Sequence, residues 1–315
     1  MTVTTAHSQA TSSASAIHIQ APNTPASNVS RGILCMIIAT VAFAITHALS
    51  KWLVASYPVG QVMFSRSLVG FVACAAFLLP MHGTSVFATK IPAAHWMRGL
   101  SQSVSQTFSV LAFSLMPLAG AIAINFSAPL WAGLVAIIWL KERAGPARWA
   151  ALIAGFFGVL IVAHPGRDSL TLGATFALLN AVMLGTVTVA VRGMTRTESV
   201  KTLLIWQLAT VLFFHSLLLV FGAKWPTPHD LSLFVMGGLA NLVGQIFWTK
   251  ALMLAPATAV SPFFYFMLVW AAVIGFVVWN EVPTTALLVG SGIVVASGLF
   301  LLWHEAQAKK PAPTV

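Results

Sequence analysis

Residues 112–142 read AFSLMPLAGAIAINFSAPLWAGLVAIIWLKE, and residues 251–281 read ALMLAPATAVSPFFYFMLVWAAVIGFVVWNE. At a constant shift of 139 they share Ala112/Ala251, Leu115/Leu254, Pro117/Pro256, Trp131/Trp270, Ala132/Ala271 and Glu142/Glu281. Apolar helices match by chance, so position matters more than the count of identities. Each proline opens a helix, where its missing N–H costs nothing, and each glutamate closes one 25 residues later. A shift of 141 aligns the first helices of each half, pairing Gly32 with Gly173 and Lys51 with Arg192. The chain therefore reads as a duplication, with halves at about 31–166 and 167–304.

The surrounding composition says what solvent the halves face. The 315 residues are 58% hydrophobic and 7% charged, with a mean hydropathy of +0.91. A soluble domain carries roughly 25% charged residues, so this composition cannot coat a water-facing globule of 33.4 kDa. An all-α integral membrane protein is expected, with the lipid bilayer as its surroundings. The net charge of +10 then reads as a topology signal and not as a nucleic-acid surface. Cys35 and Cys74 fall in apolar segments and read as buried free thiols without metal-ligand company; no metal and no cofactor is expected.

Residues 1–30 contain no Lys or Arg, and Ser, Thr and Ala supply seventeen of the thirty. This is expected to be a disordered tail and not a signal peptide, which would start basic and turn apolar. Ten apolar stretches of bilayer-crossing length follow, at about 32–51, 59–79, 96–116, 119–140, 147–164, 170–191, 201–222, 231–252, 257–279 and 284–303. Residues 305–315 are left as a short tail. The Met116–Ala119 break is uncharged and forces a tight hairpin.

With ten spans, Arg31, Lys90, Arg98, Lys141, Arg143, Arg148, Arg192, Arg196, Lys201, Lys250, Lys309 and Lys310 lie on the side of the N-terminus, and Lys51, Arg167 and Lys224 on the other. Positive loops stay cytoplasmic, so a multi-pass protein of the bacterial inner membrane with both termini cytoplasmic is expected. Five spans per half, an odd number, turn the second copy upside down. Inverted repeats are a common transporter architecture, with the substrate site between the halves near the midplane.

Polar residues within the spans mark that site. Gln102, Ser105, Gln106 and Ser109 recur at i, i+3, i+4 and i+7, one face of a helix. Asn241, Gln245 and Trp248 do the same in span eight, and the 139 shift lays Gln102 on Asn241, Gln106 on Gln245 and Ser109 on Trp248. Such amides either bond neighbouring helices or line an aqueous cavity; the symmetry favours a shared central cavity. Spans four and nine add Asn125, Ser127, Ser261 and Tyr265, with Pro129 and Pro262 inside them. An internal proline frees a carbonyl and kinks the helix.

Arg66 lies about 12 Å along span two from Pro58 at ~1.5 Å per residue. A buried charge there either pairs with a substrate carboxylate or snorkels to headgroups. His47 and His215, also within spans, are candidates for proton coupling. All six acids, Glu142, Asp168, Glu198, Asp230, Glu281 and Glu305, sit at helix ends, loops or the tail. Cation-driven carriers usually hold a carboxylate within the membrane, so a facilitator, an exchanger, or coupling through histidine is expected. The shortage of buried cations argues against phosphorylated substrates. A neutral or zwitterionic metabolite fits best.

Ten spans in two inverted five-helix halves, the Pro117…Glu142 and Pro256…Glu281 segments, and Arg66 in span two resemble the drug/metabolite transporter superfamily, EamA type. The resemblance covers about 31–304 and implies an exporter of amino acids or other small metabolites from bacteria. It also implies a central cavity lined mainly by spans three, four, eight and nine. Glu142 and Glu281 match the family's pattern at helix ends, where they read as structural, pairing with Arg or helix caps. The proton-coupled efflux of small multidrug-resistance proteins needs a glutamate in the first span, and 32–51 has none. Some members export aromatic amino acids, and Trp248, Tyr265 and the nearby Phe residues are compatible with that.

The expected protein is thus a secondary transporter, a monomer or homodimer, moving a small neutral or zwitterionic metabolite by alternating access. Amino acids, aromatic ones included, come first. Efflux of drugs, nucleosides or other metabolites is the alternative. A membrane enzyme or a channel is remote, since no catalytic constellation or selectivity loop appears. Substrate is expected to meet Arg66, Gln102, Gln106, Asn125, Asn241, Gln245, Trp248 and Tyr265.

Overall fold

The computed structural model describes residues 26–139, 145–163, 171–194, 198–255 and 257–308. These form twelve helices: α1 (Ala26–Leu53), α2 (Val59–His82), α3 (Pro92–Leu115), α4 (Leu118–Asn125), α5 (Ala128–Trp139), α6 (Pro146–Ala163), α7 (Leu172–Met194), α8 (Val200–Leu217), α9 (Pro228–Leu254), α10 (Ala257–Phe264), α11 (Phe266–Trp279) and α12 (Thr285–Ala308). Short 3₁₀ turns follow α2 and α8. The twelve make ten crossings, because α4 with α5 and α10 with α11 each form one broken span. α1 begins at Ala26, inside the stretch read as a tail, and α12 runs on to Ala308; residues 1–25 and 309–315, with Lys141, Glu142, Arg143, Arg167, Asp168 and Arg196, lie outside the described residues.

Six crossings are long and apolar enough to span a bilayer on their own, and Trp149–Ala163, Leu172–Val187 and Thr285–Leu301 are apolar but shorter. α3 is the least apolar of the twelve, since its polar stripe displaces apolar side chains.

Packing repeats with the two halves exchanging roles. α1 lies along α9 as α7 lies along α3. α2 meets α9 as α8 meets α3, and α1 runs beside α10 and α11 as α7 runs beside α4 and α5. Two further pairs, α2 with α8 and α6 with α12, map onto themselves. Glycines permit the same close approach twice. A Cβ on Gly32 would lie 2.8 Å from Ala255 Cβ, and one on Gly173 would lie 3.0 Å from Met116 Cβ. Gly32 and Gly173 are 141 apart, and Met116 and Ala255 are 139 apart. This is the inverted repeat written in contacts.

The internal prolines do more than kink their spans. Each helix breaks, at Phe126–Ser127 and at Tyr265, and Phe126 and Tyr265 are themselves 139 apart. Their rings meet at 4.8 Å. At the first break the Ser127 N–H and hydroxyl both donate to the Ile124 carbonyl, at 2.9 and 2.7 Å. Pro129 has no N–H to give the Asn125 carbonyl. At the second, Tyr265 N–H donates to the Pro262 carbonyl at 3.3 Å. The largest apolar core surrounds these breaks, with Phe113, Ile122 and Phe126 packed with Met267, Ala271 and Val294.

Candidate functional site

Arg66 of α2 is buried, 7% exposed, and its Nη2 donates to Gln106 Oε1 of α3 at 2.6 Å. It does not snorkel to a helix end. α1 contributes His47, whose ring lies 4.9 Å from that of Phe113 and whose Nδ1 is buried without a partner. α8 contributes His215, fully buried, with Nδ1 2.6 Å from Ser67 Oγ. α3 and α8 thus meet α2 at and beside this cation.

No described acid shares this centre. Asp230 accepts from Tyr57 Oη at 2.7 Å, Glu198 accepts from Thr89 Oγ1 at 2.7 Å, and Glu281 pairs with Lys51. Gln106 is neutral, so the Arg66 charge keeps no described counter-ion. A buried cation without one is costly, and an anionic group of a bound molecule would offset that cost.

The other predicted residues spread around this centre. Asn125 Nδ2 donates to Ser109 Oγ at 3.5 Å, and its Oδ1 is buried without a partner. Gln102, Asn241 and Gln245 are half-buried, and their side chains make no hydrogen bond among the described residues. In a bilayer such amides need water or a ligand. Trp248 is 39% exposed. At 3.6 residues per turn it shares a face with Asn241 and Gln245, roughly opposite the exposed apolar stripe of Val235, Leu239, Val243 and Ile246. Its exposed surface is therefore on the inward side. Tyr265 sits apart: its ring packs on Phe126, and a Cβ on Gly298 of α12 would lie 2.1 Å from its hydroxyl oxygen.

Two apolar pockets lie elsewhere, one between α1 and α9 at Ile45, Leu231 and Val243 and one at Ile124, Trp131 and Phe156; no predicted site residue lines either. The structure also adds residues that sequence reasoning passed over. Ser67 holds His215, and Asn180 Oδ1 of α7 accepts at 2.6 Å from the hydroxyl of Ser105 in the predicted stripe. A polar residue beside Arg66 and one inside span six were the available signals. Arg98, counted as a boundary charge, is bonded between α3 and α8 through Gln207 Oε1 at 2.5 Å and the Leu203 carbonyl at 3.4 Å.

With this geometry in view, the chain matches the EamA-like transporter family twice, over residues 30–163 and 171–303. The chain belongs to that family. Among relatives of this EamA-like transporter is the riboflavin transporter of Rhizobium johnstonii, 29% identical over 285 residues, 89% of this chain and 94% of the relative. The S-adenosylmethionine uptake transporter of Rickettsia felis is 26% identical over 88% of this chain and 94% of its own. The pseudopaline exporter of Pseudomonas aeruginosa is 25% identical, covering 86% and 95%. One crystal structure, 18% identical, shares the fold with a TM-score of 0.60 over 90% of this chain and 99% of its own. The EamA-like chain is a transmembrane transporter of small metabolites and not an enzyme.

Proposed function

We propose that this transporter carries a small metabolite bearing a carboxylate, with amino acids and their conjugates the first candidates, by alternating access between its inverted halves. The observation that carries the reading is Arg66, buried with a neutral partner and no described counter-ion. A carboxylate accepts two parallel N–H bonds from a guanidinium, and the Arg66 site has one nitrogen engaged by Gln106. The half-buried amides of Gln102, Asn241 and Gln245 then receive the substrate's polar groups, with Asn125 at the break beside Ser109. S-Adenosylmethionine, named for one relative, ends in an amino-acid group of this kind. A flat aromatic metabolite is the second reading, favoured by the inward exposure of Trp248 and by the riboflavin transporter among the relatives.

The test is counterflow in proteoliposomes preloaded with mixed amino acids, S-adenosylmethionine or riboflavin. Saturable exchange of a carboxylate, with its amide rejected, is expected. Arg66→Gln should raise KM by about tenfold or more and remove that discrimination, since a charged hydrogen bond contributes about 1.5–3 kcal/mol. Equal handling of acid and amide by the parent would sink the carboxylate reading. Exchange indifferent to a pH gradient supports an uncoupled carrier. Acceleration by the gradient assigns the proton to His47 or His215. The inner-membrane placement with both termini cytoplasmic rests on the basic-residue count, and a reporter fused after Val315 should be active only in the cytoplasm.

A further inference from the structure

Lys51, near the end of α1, and Glu281, just past α11, meet at the end of the bundle opposite both chain termini. The position of Glu281 is built by its own sequence. Asn280 takes a left-handed conformation with φ 55°, Asn280 N–H donates to the Phe276 carbonyl at 3.0 Å, and Glu281 N–H donates to Gly275 at 3.1 Å. This helix stop folds the carboxylate back over α11, where a Cβ on Gly275 would lie 2.8 Å from Oε2.

One carboxylate oxygen pairs with Lys51. The other accepts the Leu118 N–H at 2.9 Å, at the first residue of α4. Lys51 Nζ also donates to the Met116 carbonyl at 3.1 Å and lies 5.1 Å over the Trp279 ring. A single ion pair therefore ties α1 and the α3–α4 turn, from the first half, to α11 of the second. The side chains are 13% and 18% exposed, shielded from most solvent screening.

We propose that the Lys51–Glu281 pair is a latch that holds this end of the passage shut and releases in each transport cycle. The proposal rests on the alternating-access reading: α1 and α11 already pack together, and the bonds of their ion pair to the Met116 carbonyl and the Leu118 N–H are the contacts that release the α3–α4 turn. Sequence supplies the opposite end with the same chemistry: the 141 shift places Arg192 where Lys51 stands, and the 139 shift places Glu142 where Glu281 stands.

The experiment uses the full chain with Cys35→Ala, Cys74→Ala and a reporter, Ser109→Cys, on the polar stripe of α3. The reporter is labelled with a membrane-impermeant maleimide from the side opposite the termini. Lys51→Gln or Glu281→Gln should speed labelling about fivefold, as loss of a partly shielded ion pair shifts the population. Gly275→Ala, which displaces the carboxylate and keeps both charges, should do the same and serves where a charge variant misfolds. The Lys51→Glu/Glu281→Lys reversal should return the rate toward the parent's. Unchanged labelling in Glu281→Gln and Gly275→Ala would overturn the latch. The readout needs no substrate, so it stands or falls separately from the carboxylate reading.

Discussion

One hydroxyl separates the halves at their matching indoles. Trp270 Nε1 donates to Thr40 Oγ1 at 3.2 Å. At the repeat positions stand Trp131 and Ala181, and Trp131 Nε1 is buried without a partner. Thr40→Val copies that deficit into the second half, and unfolding in detergent should show a loss of about 1–2 kcal/mol for a stranded buried donor. Glu198 governs another contact, outside the bilayer. The Thr89 hydroxyl, and then the Lys90 N–H, hold its carboxyl below the usual carboxylate range. A lowered folded pKa makes the contribution complete above the unfolded value of about 4.3 and lost as pH falls through the folded value. Protection of the Lys90 amide, corrected for intrinsic exchange, should fall in that acid window, and Thr89→Ala should move the fall to higher pH. Residue-level chemistry was half visible beforehand. Arg66 and Gln106 stood out as polar groups in apolar spans, but spacing along one helix names a face and not the neighbour it meets. Nothing in the sequence said that Gln106 would turn to Arg66, or that Lys51, one loop charge among many, would cross to Glu281.

Among the elements, the broken spans depart most from what an apolar run suggests. Span four reads as one stretch from 119 to 140, and its proline promised a kink; the full break adds to the missing Pro129 N–H the Ser127 hydroxyl, which bonds the Ile124 carbonyl as such side chains do. The nine other spans begin and end within several residues of the turn signals, because charge is costly in hydrocarbon and proline and glycine clusters punctuate the turns between helices. Pro129→Ala returns an N–H to the Asn125 carbonyl. It should stabilise the protein in detergent by about 1 kcal/mol and slow counterflow, since the break no longer flexes. Raised stability with unchanged exchange would make the break a packing feature alone.

For the molecule as a whole, the last helices of the halves cross on glycine. A Cβ on Gly158 of α6 would lie 2.9 Å from the Gly290 carbonyl oxygen of α12, and backbone cannot step aside as a side chain can. Gly158→Ala should cost about 1–3 kcal/mol by overpacking. Gly292, on the same α12, faces open space within 4 Å, so Gly292→Ala should gain up to about 1 kcal/mol of helix propensity. Thermal unfolding of the two variants reads both signs, and equal effects would deny the crossing its role. The two-residue turn at Met116–Pro117 also bears on how the chain is made. α3, with its amides, is the helix least able to leave water for lipid alone, while α4 and α5, which make up the span beyond the turn, are among the most apolar. With no polar loop between them to hold the pair at the surface, the ribosome delivers them as one helical hairpin, and the second member draws the first across the membrane.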